Sequence, residues 1–413
     1  MLLCCIGYLK RNNKMKNNEQ HIIPFIERLL DGAEVEWKEL DEVAEVKRGR
    51  RLVRKELSET GRYAVFQNSM TPLGFYNEGN VCGDTTFIIS AGAAGEIGYS
   101  TVDFWAADDI YYFLPTTTIY SKYLYYFLLT KQTAIKGQVR RASVPRLAKN
   151  AFAKIKIPIP PLSVQQEIVR ILDKFTTLEA ELEAELDCRK RQYEYYRNKL
   201  LSFDMLNGGG NSLNNIFILP LGEVGEFVRG SGLQKKDFTP AGVGCIHYGQ
   251  IYTYYGIYTE KTLSYVSPDT AKQLKQVEYG DVIITNTSEN IQDVCKAVVY
   301  MGKEPIVTGG HASIFKPSDK ITGKYLAYYT QTEAFTRDKR KFAKGTKVID
   351  VSATDLAKIK IPIPSLSEQE RIVSILDKFD TLTNSISEGL PKEIALRRKQ
   401  YAHYRDRLLN FQR

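Results

Sequence analysis

Histidine, tryptophan and methionine are scarce in this 413-residue chain, with four, two and five copies, and the six cysteines (Cys4, Cys5, Cys82, Cys188, Cys245, Cys295) never fall in a C-x-x-C spacing. Scattered histidines and cysteines of this kind suggest neither a zinc site nor a disulfide framework, so a reducing cytoplasm is the expected compartment. No apolar run reaches membrane-spanning length, and no membrane partner is expected. The opening MLLCCIGYLK is too short and too poorly followed to read as a signal peptide. Met15 starts a more ordinary sequence, so residues 1–14 read as an upstream extension of the frame.

Motifs for catalysis are missing as well. There is no D/N-P-P-Y/F segment of the kind an amino-methyltransferase uses to hold a flipped base, and the only Pro-Pro, Pro160-Pro161, follows isoleucine. No G-x-x-x-x-G-K-[ST] phosphate loop occurs, and Gly92 to Gly98 has the wrong spacing for a dinucleotide fingerprint. The chain is expected to be no enzyme and to carry no metal or cofactor of its own.

Acidic residues are absent from Ile110 to Gln166, where Lys131, Lys136, Arg140, Arg141, Arg146 and Lys149 accumulate. Lys47 to Lys55 (KRGRRLVRK) is another basic run, and in Arg337 to Lys347 (RDKRKFAKGTK) Asp338 alone opposes the cations. A single charge run is usually a solvated face. Clusters at matching places in two halves, with net charge +9 and a tyrosine-rich background, favour a polyanion surface.

What the chain has in abundance is repetition. Lys154 to Phe203, KIKIPIPPLSVQQEIVRILDKF and onward, returns as Lys358 to Phe411, KIKIPIPSLSEQERIVSILDKF and onward. The K-I-K-I-P-I-P lead fits an edge strand that prolines terminate. Ser163 and Ser367 stand three residues before Gln166 and Glu370, the capping-box spacing that opens a helix. An apolar line then runs through Ile168, Ile171, Phe175, Leu178, Leu182, Leu186, Arg189, Tyr193, Tyr196, Leu200 and Phe203 in steps of 3 and 4, with one doubled 4 at Leu182 to Leu186. This is a coiled-coil seam with a stutter. The second line, through Ile372, Ile375, Phe379, Leu382, Ile386, Leu390, Ile394, Arg397, Tyr401, Tyr404, Leu408 and Phe411, carries one extra 4, beside Pro391, which should kink or split the helix. Helices of about 60 Å, at 1.5 Å per residue, are too long for one small domain to cover, and the seams are most economically buried as an antiparallel pair.

The stretches ahead of the helices are worn copies of each other. Leu40 to Gly49 aligns with Leu221 to Gly230, Gly83-Asp84 and Phe87-Ile88-Ile89 with Gly280-Asp281 and Val282-Ile283-Ile284, and Lys122 to Phe127 with Lys324 to Tyr329, a predicted helix. Between these anchors the halves diverge. A chain that repeats its helices and varies its globular parts does one job twice with the former and one kind of job on two targets with the latter.

This order, the IPIPxLxxQxxIVxILDKF element, the R-x-x-x-Y-x-Y-x-R-x-x-L-L-x-F ending, and the G-D-V-I-I, G-G-H-x-x-I-F-K-P and G-T-K-V segments resemble the specificity subunit of type I restriction-modification enzymes from about Asn18 to the end of the chain. The resemblance implies an α+β chain of two mixed α/β target-recognition domains separated by two long helices that form an antiparallel coiled coil. The boundaries then fall as a disordered extension (1–17), a lead-in helix (18–36), a first recognition domain (37–157), a first helical spacer (158–206), a linker (207–218), a second recognition domain (219–361) and a second spacer (362–413). It further implies double-stranded DNA as ligand, two modification and two restriction/translocase subunits as partners, and S-adenosylmethionine, ATP and Mg on those partners rather than on this chain.

Cations supply phosphate contacts, while amide, hydroxyl and carboxylate groups on loops can read base edges. The DNA-contacting candidates in the first domain are Lys47, Arg48, Arg50, Arg51, Gln67, Asn68, Ser69, Arg140 and Arg141. In the second they are Lys235, Tyr248, Gln250, Ser288, Glu289, Asn290, His311, Lys344, Thr346 and Lys347. Trp37 and Trp105 read as core. The rival reading is a coiled-coil scaffold whose basic domains bind RNA or protein without sequence-specific DNA recognition.

Overall fold

The computed structural model describes residues 22–141, 143–208 and 216–411. The extension 1–17, the start of the lead-in helix and most of the linker 207–218 lie outside them; within the lead-in, Ile22–Leu30 is helical. The chain divides into two compact units, one ending at Leu182 and resuming at Ile394, the other spanning Glu183–Glu393. Each unit therefore holds one globular region and parts of the helices, and the cut falls at the doubled step Leu182 to Leu186.

In the first unit, strands Ala44–Arg48, Ile110–Pro115, Thr85–Ile89 and Ile97–Ser100 form one antiparallel sheet in that order. Thr85–Ile89 is buried along its whole length, as a central strand of β-branched and aromatic residues should be. Helix Ser121–Gly137 covers the sheet, placing Tyr123, Leu124 and Phe127 among Ile88, Ile97 and Phe113. A smaller sheet follows the order Gly74–Tyr76, Tyr63–Phe66, Trp105–Ala106, its last pair parallel.

The second unit repeats this plan with additions. Gly225–Arg229, Ala312–Pro317, Val282–Thr285 and Ala297–Tyr300 take the same order, extended by Tyr258–Thr259. The companion sheet has five strands, with Val243–His247 and Ile306–Gly309 pairing in parallel at its middle. Helix Gly323–Tyr329 answers Ser121–Gly137.

Both repeated lead segments become strands of two-stranded antiparallel ribbons. Lys156–Ile159 pairs with Glu36–Glu39, and Lys360–Ile363 with Phe217–Pro220. Pro158 and Pro362 sit inside these strands, which the missing N–H permits at an edge, and the strands end directly before Pro160 and Pro364. The Pro158 and Pro362 carbonyls accept hydrogen bonds from Tyr123 Oη at 3.1 Å and Tyr325 Oη at 2.9 Å.

The long helices start earlier than the capping-box spacing suggests. Leu162–Leu200 is one helix of 39 residues, so Ser163 lies in its first turn. In the second copy Ser365, not Ser367, is the cap: its backbone is extended and its side chain accepts from Glu368 N. The second helix is split, Leu366–Asn384 and Leu390–Leu408, with Pro391 in the first turn of the latter, where its ring costs no hydrogen bond. Ile386, assigned to the seam by its spacing, falls in the break and is 87% exposed.

The repeated motif residues bind each helix to its own domain. Gln165 is fully buried; its Nε2 donates to Thr118 O and Pro160 O at 2.9 and 2.8 Å, and its Oε1 accepts from Tyr120 N at 2.8 Å. Gln369 does the same with Lys320 O, Pro364 O and Thr322 N. Asp173 accepts from Lys122 Nζ and Tyr126 Oη, and Asp377 from Lys324 Nζ and Tyr328 Oη, at 2.6 to 2.8 Å. Burial and the neighbouring carboxylates push both tyrosine hydroxyls well above their ordinary range.

Farther along, helix packs on helix in each unit. In the first, Phe175 stacks on Tyr404 at 5.2 Å, and Arg398 Nε donates to Glu179 at 2.5 Å. Numbers rise on one helix as they fall on the other, so the pair is antiparallel. In the second unit Phe379 stacks on Tyr196 at 5.6 Å and on Tyr193 at 6.2 Å. Phe175 with Tyr404 and Phe379 with Tyr196 are repeat equivalents, so one contact is used once per unit.

Candidate nucleic-acid interface

The basic run of the first unit leaves the end of strand Ala44–Arg48. Arg48 Nε donates to Asp108 O at 2.7 Å, and its guanidinium lies 6.0 Å from the Tyr111 ring. Gly49 follows because backbone crowds it: its N–H donates to Ile110 O at 2.8 Å, and a Cβ there would stand 2.1 Å from Ala107 O. Gly230, its repeat partner, donates to Ala312 O at 2.9 Å under similar crowding. The repeated glycine is thus a backbone requirement. Lys47 pairs with Glu45 at 3.3 Å. Arg50 and Arg51 are exposed and have no side-chain hydrogen bond or ion pair among the described residues.

Main-chain bonds chain the remaining loops to this one. Arg50 N donates to Ala106 O, Ala107 N to Phe66 O, Ser90 N to Asp109 O, Ala93 N to Asn68 O and Gly92 N to Pro145 O, at 2.7 to 3.2 Å. Residues 48–51, 67–69, 140–141 and 143–146, far apart in sequence, therefore meet along one edge of the unit. Asn68 is exposed and Gln67 half-buried, while Ser69 Oγ donates to Thr71 O. Arg140 and Arg146 exchange both main-chain hydrogen bonds, at 2.9 and 3.1 Å, forming a small hairpin on which Arg140, Arg141 and Arg146 are exposed.

The second unit assembles a comparable edge. A cleft is lined by Gly232 to Lys236, His247, Tyr248, Gly310 and His311. Tyr248 sits between two imidazoles, 4.4 Å from His247 and 5.0 Å from His311 by ring centres. Lys235 and His311 are exposed, whereas His247 is buried and its pKa is lowered by that burial and by Lys235 and His311 nearby. Gln250 is tied into the fold: Oε1 accepts from His247 N and Nε2 donates to Ser264 Oγ at 2.7 Å. Asn290 holds Asp293 through both its side-chain atoms, Ser288 pairs with Ile349 in a short ribbon, and Glu289 is exposed.

Asn286 knits this edge together. Buried, it donates from its backbone to His311 O at 2.8 Å, accepts from Ser313 Oγ and Val351 N, and donates from Nδ2 to Val351 O. Lys344 and Asp350 exchange main-chain hydrogen bonds, and Lys344 Nζ also reaches the Asp355 carboxylate at 3.1 Å. Thr346 and Lys347 are exposed. Arg146 belongs to the first edge and Lys236, His247 and Asn286 to the second, although none was among the DNA-contacting candidates read from the sequence. Arg146 was legible as part of the acid-free basic stretch, but burial and cross-strand hydrogen bonding carry no such signal.

Trp105 is core, its indole N–H donating to Arg50 O at 3.0 Å. Among the described residues no group of three or more His, Cys, Asp or Glu is placed to hold a metal ion, and no helix is long and apolar enough to cross a membrane.

The fold and the two edges define a tandem protein: two α+β domains of one plan, each braced by the same helical contacts and each exposing a cation-rich loop edge. The family model for the type I restriction modification DNA specificity domain matches twice, at residues 33–187 and 218–396, and the chain belongs to that family. It is 34% identical to the "Putative type I restriction enzyme specificity subunit S.HindORF215P" of Haemophilus influenzae, across 96% of this chain and 100% of that one. With the EcoR124I/EcoR124II specificity subunit of Escherichia coli it shares 32% identity over 94% of this chain and 97% of the other. The crystal structure of the type I restriction-modification S subunit from M. genitalium has the same fold, with a TM-score of 0.57 over 92% of this chain and 97% of that one at 17% identity.

Proposed function

We propose that this chain is the DNA-reading subunit of a type I restriction-modification complex, recognising a bipartite, asymmetric duplex site with one half-site per domain. The observation that carries it is the convergence, in each unit separately, of loops distant in sequence onto one exposed edge of cations and hydrogen-bonding side chains, on domains that match the DNA specificity family twice. Phosphate contacts would position the duplex and the loops that differ between the domains would read bases. Unlike loops predict unlike half-sites.

The chain performs no chemistry in this reading. Two modification subunits would bring S-adenosylmethionine and flip the target bases, and two restriction/translocase subunits would bring ATP and Mg. The compartment would be the cytoplasm. The test is binding by the full chain assembled with its methyltransferase subunits, measured on random duplexes and on duplexes selected for modification. Preference for one split motif supports the reading. Salt-dependent binding with no preference among sequences would return the chain to the scaffold reading.

A further inference from the structure

The hairpins of the two edges are the same object. Arg140 with Arg146 and Lys344 with Asp350 are the pairs that exchange main-chain hydrogen bonds, and each partner stands 204 residues from its counterpart. Both hairpins dock on the exit of the central strand through an equivalent main-chain bond: Leu147 N donates to Ser90 O at 2.7 Å, and Val351 N to Asn286 O at 2.9 Å. Their sequences have otherwise diverged, yet one exposed residue is kept: Val144 and its counterpart Val348, which are 46% and 57% exposed.

Other apolar residues shared by the repeats, such as Ile88 and Ile284 or Phe113 and Phe315, are buried. These two valines contribute no core, and although a single exposed valine is ordinary, the same one recurs at the same place in both hairpins. Their hairpins are charged: Arg140, Arg141 and Arg146 in the first, and Lys344, Lys347 and the acid Asp350 in the second, where Lys344 Nζ also reaches Asp355 at 3.1 Å. An apolar point on a hairpin that carries cations suits a polyanion with an apolar lining, which is what the wall of a DNA groove presents. A valine has no donor or acceptor for the hydrogen-bonding pattern of base edges, and a thymine methyl is the one base feature it could read.

We propose that the arms Arg140–Arg141 with Ser143–Arg146, and Lys344 to Asp350, form one DNA-anchoring element used twice: Val144 or Val348 lies against the sugar wall of a groove while the adjacent cations take phosphates. It strengthens both half-sites without choosing bases. This rests on the DNA-reading function proposed above.

The test uses the full chain assembled with its methyltransferase subunits, carrying Val144→Asp or Val348→Asp. Affinity is measured on a duplex bearing the modified motif and on a scrambled duplex. Each variant should weaken both duplexes by one common factor, about tenfold near 0.1 M salt for one added negative charge at a phosphate-facing position, with an unchanged modification motif and melting temperature. A loss confined to the motif duplex, or an altered motif, would make the valine a base reader and overturn the proposal. Unchanged affinity for both duplexes would also overturn it, as would lost assembly with the methyltransferase subunits, which would mark a protein-docking face. If the unsubstituted complex binds neither duplex, the DNA-reading function itself has failed, and that outcome is distinguishable from these.

Discussion

Gln165 and Gln369 show how much a single side chain can decide. Each is buried and uses its amide for three hydrogen bonds, two to a turn of its own domain and one to the proline carbonyl just ahead of its helix. Gln165→Leu keeps the bulk but leaves buried carbonyl and N–H groups unpaired. It should destabilise the first unit by about 2 to 4 kcal/mol, read as a lower urea midpoint for that transition, with Gln369→Leu acting on the second. Cysteine reactivity offers a separate check. Burial pushes the Cys245 and Cys295 thiols up to about 12, so they stay protonated at neutral pH, while Cys82 and Cys188 are exposed. Peptide mapping after brief maleimide treatment should find label on Cys82 and Cys188, and on Cys245 and Cys295 only after denaturation. Rapid native labelling of Cys245 would contradict the packing described for Val243–His247.

Hairpins and helix ends behave as elements. Lys358 and Lys344 hold the Asp355 carboxyl well below the ordinary carboxylate range, and Ser352 Oγ donates to it as well. Because the folded-state pKa is depressed, the stabilisation is present at every pH above the ordinary carboxylate value of about 3.9 and is lost as pH falls through the lower folded value. Asp355→Asn should therefore leave stability near neutral pH within about 1 kcal/mol of the parent, since the lysines are exposed. It should also speed amide exchange at Lys344 and Asp350; unchanged protection there would mean that the carboxylate does not secure the hairpin. The split at Ser385 to Gly389 belongs to the same scale. Spacing alone kept Ile386 on the apolar line, but an unbroken period implies a seam only where the helix itself is unbroken.

For the whole molecule, duplication explains the division of labour. The contacts that recur, Gln165 and Gln369, Asp173 and Asp377, Phe175 with Tyr404 and Phe379 with Tyr196, join helices to domains or to each other. The loops that differ lie on the exposed edges. Replacing residues 37–157 by the corresponding segment of a relative should change one half of the modified motif and leave the other, as read by mapping methylated bases genome-wide; change in both halves would refute independent reading. Adding four residues within Leu162–Leu200, about one helical turn and 6 Å, should alter the allowed spacing between half-sites. An unchanged spacing would defeat the view of the helix as a ruler.

The repeat, its helical period, the placement of cations and the family resemblance were all legible in the chain, because each is a matter of residue type and spacing along one strand or helix. The basic runs at Lys47 and Arg140 were visible in the same way, as were the second-domain segments around Tyr248, Ser288 and Lys344. What only the tertiary structure decided is which of these meet. Asn68 reaches Ala93, Gly92 reaches Pro145, and Arg48 reaches Asp108 through strand pairings that join distant segments, and such pairings depend on how whole sheets bury their apolar faces rather than on local pattern. The same holds for the cap at Ser365 and for Gln250, whose amide is used within the fold. Sequence names the groups able to meet DNA; packing determines which are held on the edge and which are already engaged in building it.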